Sequence, residues 1–422
     1  MRTMRVSGAL VALVFLFNAA CVPQPTGTTQ QPATNATNTA PAPTKPVSAQ
    51  AEPMPVTLPV LEALFYDEAF ANEVKSTLQL TDEQLDRLKT IAREAREGLR
   101  EGATDDEHEG TTSEAKQRAE ERIKEAIGEE KTQQLFQLAG QRWAGAAEEI
   151  AGMTKPGTLP ADTRIVVNAP AYRMDVFDNG RLVKSYKVGI GYPEFPLPTG
   201  LRKADTIIFN PTWTPPDEPW VESSNKVKVG ETIKAGDERN PLGPVKIPIG
   251  LPSLIHGGKS PSKLGGFASH GCVGLTTPQV FDLSKLLARL GGTELPDQQI
   301  AEYQKNKTET KNVKLGTPIP VELRYETITV EDGKLHVYRD VYDRNTNTEE
   351  NLRAVLEAYG LSLDQLSESE RAAALDALQP IITATPVTPI ATAAPTPTEI
   401  PPRARGTNRT GTPPTPGRLR RR

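Results

Sequence analysis

Ser269-His270-Gly271-Cys272-Val273-Gly274-Leu275, with Ile255-His256-Gly257-Gly258 a short way upstream, is the stretch on which the reading of this chain turns. The sequence contains two cysteines. Cys21 closes a segment of another kind, at the N-terminus, so Cys272 is the thiol to be explained in the body of the chain. His256 and His270 both lie within sixteen residues of it. A thiol is nucleophilic as its thiolate, and a neighbouring imidazole is a common means of generating that form. Glycines beside such a nucleophile permit tight turns and leave backbone N–H groups to face a developing oxyanion.

A Cys/His pair within β-rich flanks points to acyl transfer through a thioester. The thiol attacks a carbonyl, and one histidine takes its proton and later returns a proton to the leaving amine. The N–H groups of Gly271 and Cys272 are natural oxyanion donors, each such donor contributing about 3 kcal/mol. Spacing leaves the identity of the base open. His270 shares a strand face with Cys272, because residues two apart point the same way, whereas His256 is remote in sequence. Two other readings fit the residues less well. Zinc held by His256, His270 and Cys272 lacks a fourth ligand and any CxxC or HxxxH spacing. An inert buried cysteine fits poorly with two histidines and four glycines around it. The pattern therefore implies an enzyme with neither metal nor cofactor.

Outward from this stretch the composition is uneven. The 422 residues include 38 prolines and 32 glycines, and 37% are hydrophobic, so much of the chain is not core. A net charge of −4 is too small for a polyanion-binding protein, and no nucleic-acid partner is expected. Residues 1–21 read as an export signal: a basic start at Arg2 and Arg5, an apolar run from Val6 to Phe17, and Asn18-Ala19-Ala20 before Cys21. The run is shorter than the roughly 20 residues of a transmembrane helix. Small residues ahead of a cysteine resemble a bacterial lipobox, which implies lipidation at Cys21 and a membrane anchor. Residues 22–59 are rich in Pro, Thr, Ala and Gln and read as a disordered tether. Residues 60–155 form a helical module, with apolar residues at helical spacing and a capping box over Thr81 to Gln84. His108, in its acidic loop, reads as a solvated histidine. Leu80 to Gln84 faintly resembles the LTxxQ motif of periplasmic helical stress proteins.

Residues 160–345 switch to strands. Arg164 to Asn168 and Ala171 to Phe177 are β-rich, Asp178-Asn179-Gly180 is a hairpin turn, and Arg181 to Ile190 returns. A stiff Pro-rich loop, Gly191 to Gly200, follows. Trp213 and Trp220 stand in later loops, as either a substrate wall or packing against the sheet. Pro278 to Leu290 reads as a short helix, Thr317 to Tyr325 as a strand and Thr327 to Tyr342 as a last hairpin. Residues 346–379 carry two more helices. Residues 380–422 are a disordered basic tail, with seven arginines against one acid, Glu399.

The segment from about Arg164 to Arg344 resembles the catalytic domain of the bacterial L,D-transpeptidases, peptidoglycan-modifying cysteine enzymes. The resemblance rests on His256-Gly257, Leu264-Gly265 and Ser269-His270-Gly271-Cys272 in residue type and interval. Pro196-Leu197-Pro198-Thr199-Gly200, Asn240-Pro241-Leu242-Gly243 and Asp340-Val341-Tyr342 add to it. It implies a mainly β fold with short helices, a β-sandwich catalytic domain preceded by the helical module and flanked by disordered Pro/Thr-rich segments. It also implies Cys272 as nucleophile, His256 as base and the Gly257 carbonyl as the group orienting that base. His270, Gly271 and Ser269 are then supporting or oxyanion residues, and Trp213 and Gly274 substrate-binding ones. The implied reaction joins a tetrapeptide stem of peptidoglycan to Cys272, releases D-alanine, and passes the acyl group to an amine of another stem or of an envelope protein. The implied location is the periplasmic face of a lipid-anchored envelope. Carbapenems are the expected inhibitors. One residue departs from the family: two positions after the cysteine, where arginine is usual, stands Gly274. Arg289, Lys259 or Lys263 then supplies the charge from elsewhere, or substrate choice differs.

Overall fold

In the computed structural model the described residues are 2–5, 54–95, 110–144, 153, 157–214, 228, 230–250, 253–331 and 334–379. Cys21 with most of the export signal, the tether up to residue 53, His108, Trp220 and the basic tail lie outside them.

Regular apolar spacing and good N-caps produce the helical module. Its helices are α1 (Leu58–Phe65), α2 (Glu68–Thr77), α3 (Asp82–Ala95), α4 (Thr112–Ile127) and α5 (Glu129–Ala144). The capping box ahead of α3 is formed, with Thr81 N–H donating to Gln84 Oε1 at 3.1 Å and Gln84 N–H to Thr81 Oγ1 at 3.2 Å. A second box, Thr111 with Glu114, opens α4. Phe70, Val74, Leu88, Ile123, Leu135 and Trp143 form the module's core. The module begins earlier than expected. Met54, Val56 and Leu58 are buried in that core, so residues 54–59 belong to it and not to the tether. Three apolar side chains among prolines were too few to carry a periodicity.

The next part is built on one eight-stranded mixed sheet. Its strands are β2 (Arg164–Asn168), β3 (Arg173–Asp178), β4 (Arg181–Lys187), β6 (Gly200–Phe209), β7 (Val245–Pro248), β8 (Leu254–His256), β10 (Val273–Gly274) and β11 (Lys311–Arg324). Their order is β10-β8-β7-β6-β11-β2-β3-β4. The β3–β4 hairpin turns at Asn179 (φ 49°) and Gly180 (φ 77°), the positive-φ pair anticipated from that dipeptide. The long β11 is central, antiparallel to β6 and parallel to β2. Over the sheet lie a two-stranded sheet, β5 (Ile190–Gly191) with β9 (Phe267–Ser269), and α6 (Thr277–Leu290). Val280, Leu283 and Leu287 of α6 join Ile207, Ile247, Val273 and Val321 of the strands in one apolar core. A short helix, α7 (Asp297–Lys305), leads into β11.

A smaller hairpin follows, β12 (Ile328–Glu331) with β13 (Lys334–Val337), and the backbone of β1 (Arg2–Arg5) runs antiparallel along β13. Helices α8 (Glu349–Ala358) and α9 (Glu368–Ala377) pack on it through Leu352, Leu356 and Ala374.

Candidate active site

Strand pairing brings the two motifs together. β10 lies parallel to β8, with Val273 opposite Ile255 and Gly274 opposite His256. Paired residues of a sheet face the same side, and so do residues two apart on a strand. Cys272, immediately ahead of β10, is thereby set on the strand beside His256. Leu275 N–H donates to His256 O at 2.8 Å and Lys259 N–H to Leu275 O at 3.0 Å, which fixes the two segments past the pair. On its other flank Gly274 exchanges two backbone hydrogen bonds with Gly189, at 2.9 and 3.0 Å.

His256 is buried, at 3% exposure, and its Nδ1 lies 2.9 Å from the carbonyl oxygen of Gly257. A carbonyl only accepts, so Nδ1 carries the hydrogen and Nε2 keeps its lone pair. Burial, followed by the positive charge of Lys259, pushes the imidazole pKa down to about 3, against the opposing pull of hydrogen bonds with the backbone of Gly257 and Leu242. The ring is therefore neutral at rest near neutral pH and able to take a proton. Gly243 is the reason the Asn240-Pro241-Leu242-Gly243 segment can close over it. At φ 65° its Cα side approaches the Gly257–Gly258 backbone so nearly that a Cβ would stand 2.6 Å from Gly258 N. Asn240 holds that turn, its Nδ2 donating to Pro211 O at 2.8 Å and its Oδ1 accepting from Leu242 N–H at 3.1 Å.

Cys272 is a half-buried thiol. Ser269 clamps its backbone at both ends, accepting from Cys272 N–H at 3.0 Å and donating to Cys272 O at 2.6 Å. This alters one expectation: in this arrangement the Cys272 N–H faces Ser269 Oγ, not an incoming oxyanion. Gly271, at φ 79°, makes the turn that exposes the thiol, and its carbonyl accepts from the buried Ser253 hydroxyl at 2.8 Å. The His270 ring packs against Tyr192, with centroids 5.3 Å apart, and against Phe195 at 6.5 Å.

Gly274 is explained by its neighbour. A Cβ there would stand 2.8 Å from Cγ of Lys259, so the absent side chain leaves room for the aliphatic stem of that lysine. Of the three cations named as substitutes for arginine, Lys259 is the one brought to the site. Arg289 instead pairs with Asp178 at 3.6 Å, and Lys263 ends the short 3-10 turn Pro261–Lys263. Trp213 forms a backbone bridge with Ile233 in the β6–β7 connection. Among the described residues no three of His, Cys, Asp and Glu are gathered as a metal site.

A thiol just ahead of one strand, a held neutral imidazole on the next and a positive-φ glycine before the thiol make a nucleophile–base pair suited to acyl transfer. Residues 162–321 match YkuD, the L,D-transpeptidase catalytic domain. The matched segment spans the strands from β2 into β11 and contains Cys272, His256 and Ser269. Solved structures similar to this chain include an L,D-transpeptidase from Mycobacterium smegmatis, at 17% identity over 39% of this chain and 59% of that one, TM-score 0.23. The catalytic domain of an E. faecium L,D-transpeptidase matches at 17% identity over 40% of this chain and all of that one, TM-score 0.26. An L,D-transpeptidase from Mycobacterium tuberculosis H37Rv matches at 17% identity over 39% of this chain and 58% of that one, TM-score 0.22. The chain thus spans under two thirds of the mycobacterial proteins. Comparison with curated proteins gives no match.

Sequence reasoning missed Ser253, Phe195, Trp143 and the role of Tyr342. The Tyr342 hydroxyl donates to Gly191 O at 2.9 Å and accepts from Leu197 N–H at 3.1 Å, closing the Pro-rich loop beside the site. A lone phenylalanine inside a Pro-rich loop was the available signal, since such a ring needs a core to enter.

Proposed function

We propose that this protein is a peptidoglycan L,D-transpeptidase of the bacterial envelope. The observation that carries the reading is the imidazole of His256, held through Nδ1 by the Gly257 carbonyl and leaving Nε2 as proton acceptor one strand from Cys272. The Cys272 thiol attacks the carbonyl between the third residue of a tetrapeptide stem and its terminal D-alanine, passing its proton to His256 Nε2 as the C–S bond forms. Collapse of the tetrahedral intermediate breaks the C–N bond. The imidazolium returns the proton to the departing amine, so D-alanine leaves neutral at nitrogen and a thioester remains. An amine of a second stem, or of an envelope protein, attacks the thioester, gives its proton to His256 and regenerates the thiol. Gly257 orients the base, Ser269 fixes the Cys272 backbone, and Lys259 over Gly274 places a cation at the site. Trp213 is a candidate wall for the substrate. Lipidation at Cys21 would place the enzyme on the periplasmic face, at the outer membrane of a two-membraned cell.

The direct test is incubation of the purified protein with a tetrapeptide-stem muropeptide, followed by chromatography and mass spectrometry. Cross-linked dimers with released D-alanine are expected, and neither with Cys272→Ala. Tripeptide monomers alone would mean that water resolves the thioester, making a carboxypeptidase. No turnover, together with no covalent adduct after meropenem, would leave a non-catalytic wall-binding protein.

A further inference from the structure

Phe195 sits within the YkuD span, yet its ring belongs to the core of the helical module. It is 2% exposed, and its centroid lies 5.7 Å from that of Trp143 in α5. Its other side meets the nucleophile's turn. A Cβ on Gly271 would stand 2.5 and 2.6 Å from Cε1 and Cδ1 of Phe195, and the His270 ring lies edge-on at 6.5 Å. One ring thus touches both the module's core and the residue preceding Cys272. Polar contacts hold the same loop from the module's side. Thr112 Oγ1 donates to Pro193 O at 2.9 Å, Thr57 Oγ1 donates to Glu194 O, and Arg202 Nη2 reaches back to Trp143 O at 3.1 Å. From the other side, Tyr192 N–H donates to Ser269 O at 2.8 Å.

We propose that the helical module is a positioning clamp for the nucleophile: Trp143, through Phe195, holds Gly271 in its left-handed turn and so sets the Cys272 thiol against His256. The inference rests on the reading of Cys272 as the nucleophile. Glycine visits many backbone conformations, so the turn needs an external restraint, and a close-packed ring on its Cα supplies one. Trp143 and Phe195 do not touch the reacting atoms. They are positioning residues, and the module is a working part of the enzyme instead of a spacer.

The test uses the full chain carrying Trp143→Leu, Trp143→Phe, Phe195→Leu or Thr112→Val. Three quantities are read: the pH profile of Cys272 alkylation by iodoacetamide, kcat and KM for D-alanine release, and the thermal melt. Trp143 Nε1 has no hydrogen-bond partner among the described residues, so Trp143→Phe keeps an aromatic ring against Phe195 at no polar loss. Trp143→Leu and Phe195→Leu are expected to lower kcat about tenfold or more with KM within about twofold and to displace the alkylation profile, while Trp143→Phe stays near wild type. Thr112→Val, the mildest change, is expected to displace the profile in the same direction by less. Folded Trp143→Leu protein with wild-type kcat and alkylation profile would overturn the clamp. If Trp143→Leu does not fold, a wild-type profile in both Phe195→Leu and Thr112→Val overturns it equally. A wild-type chain that releases no D-alanine but whose alkylation profile responds to these variants would sink the transpeptidase reading and leave the clamp standing.

Discussion

With a folded-state pKa near 3 and an ordinary value of 6.5, His256 takes up a proton on unfolding whenever the pH is below 6.5. Its contribution to stability is therefore complete above that pH and is lost as the pH falls from 6.5 towards 3. Between pH 7.5 and 5.5 this one group should remove about 1.4 kcal/mol from the unfolding free energy. Urea titrations at the two pH values, on wild type and His256→Asn, measure it; equal pH dependence in both would refute the assigned pKa. Lys259→Met removes the nearby positive charge and should raise the His256 pKa, which leaves the loss between pH 7.5 and 5.5 nearly unchanged and reduces the further loss below pH 5.5. At this scale Cys272, His256 and Gly257 were legible because thiol chemistry limits which residues can serve and because the Ser-His-Gly-Cys pattern resembles a family. Lys259 was legible only as one of three choices. Which cation lies over Gly274 depends on the course of the backbone after His256, and no local pattern encodes that.

Among elements, the segments with their own stop and start chemistry were the ones read correctly. Asn179-Gly180 makes its turn, and Thr81 caps α3 as its spacing implied. The prolines of the loop from Gly191 to Gly200 imply stiffness, but its shape is set by Tyr342, far along the chain. That hydroxyl bridges Gly191 O and Leu197 N–H while its ring is fully buried. Tyr342→Phe strands both backbone groups away from water and should cost about 1–3 kcal/mol for each one left unsatisfied. The expected result is a folded protein with a lower urea midpoint, together with slower acylation of Cys272 by meropenem. Unchanged values for both would show that the loop holds without the hydroxyl. Contacts of this range are invisible to periodicity, as is the inclusion of residues 54–59 in the helical module.

For the molecule as a whole, a buried charge network joins the segment that leaves the helical module to the centre of the sheet. Glu322, fully buried on β11, accepts from Arg164 Nη1 at 2.6 Å and from Arg324 Nε at 2.8 Å. Arg164 also grips Asp162 through two hydrogen bonds, at 2.6 and 2.8 Å, and Arg324 donates to Thr158 O at 3.0 Å. Glu322→Gln leaves two nearly buried guanidinium groups short of an anion and should destabilise the protein by about 3–5 kcal/mol, read as a fall in the urea midpoint. A change below about 1 kcal/mol would mean that water or Asp162 and Glu326 neutralise the site instead. Nothing in the local sequence joins residues so far apart, although charged residues inside an apolar strand pattern mark where partners are required. The Tyr342 bridge bears on where this protein can be divided. The matched YkuD span ends at residue 321, inside β11, whereas the tyrosine that ties the Pro-rich loop lies beyond β12 and β13. A fragment trimmed to the similarity boundary keeps Cys272 and His256 but loses the last three residues of β11 and the tie on the Pro-rich loop. A fragment meant to keep that tie therefore extends through at least Tyr342.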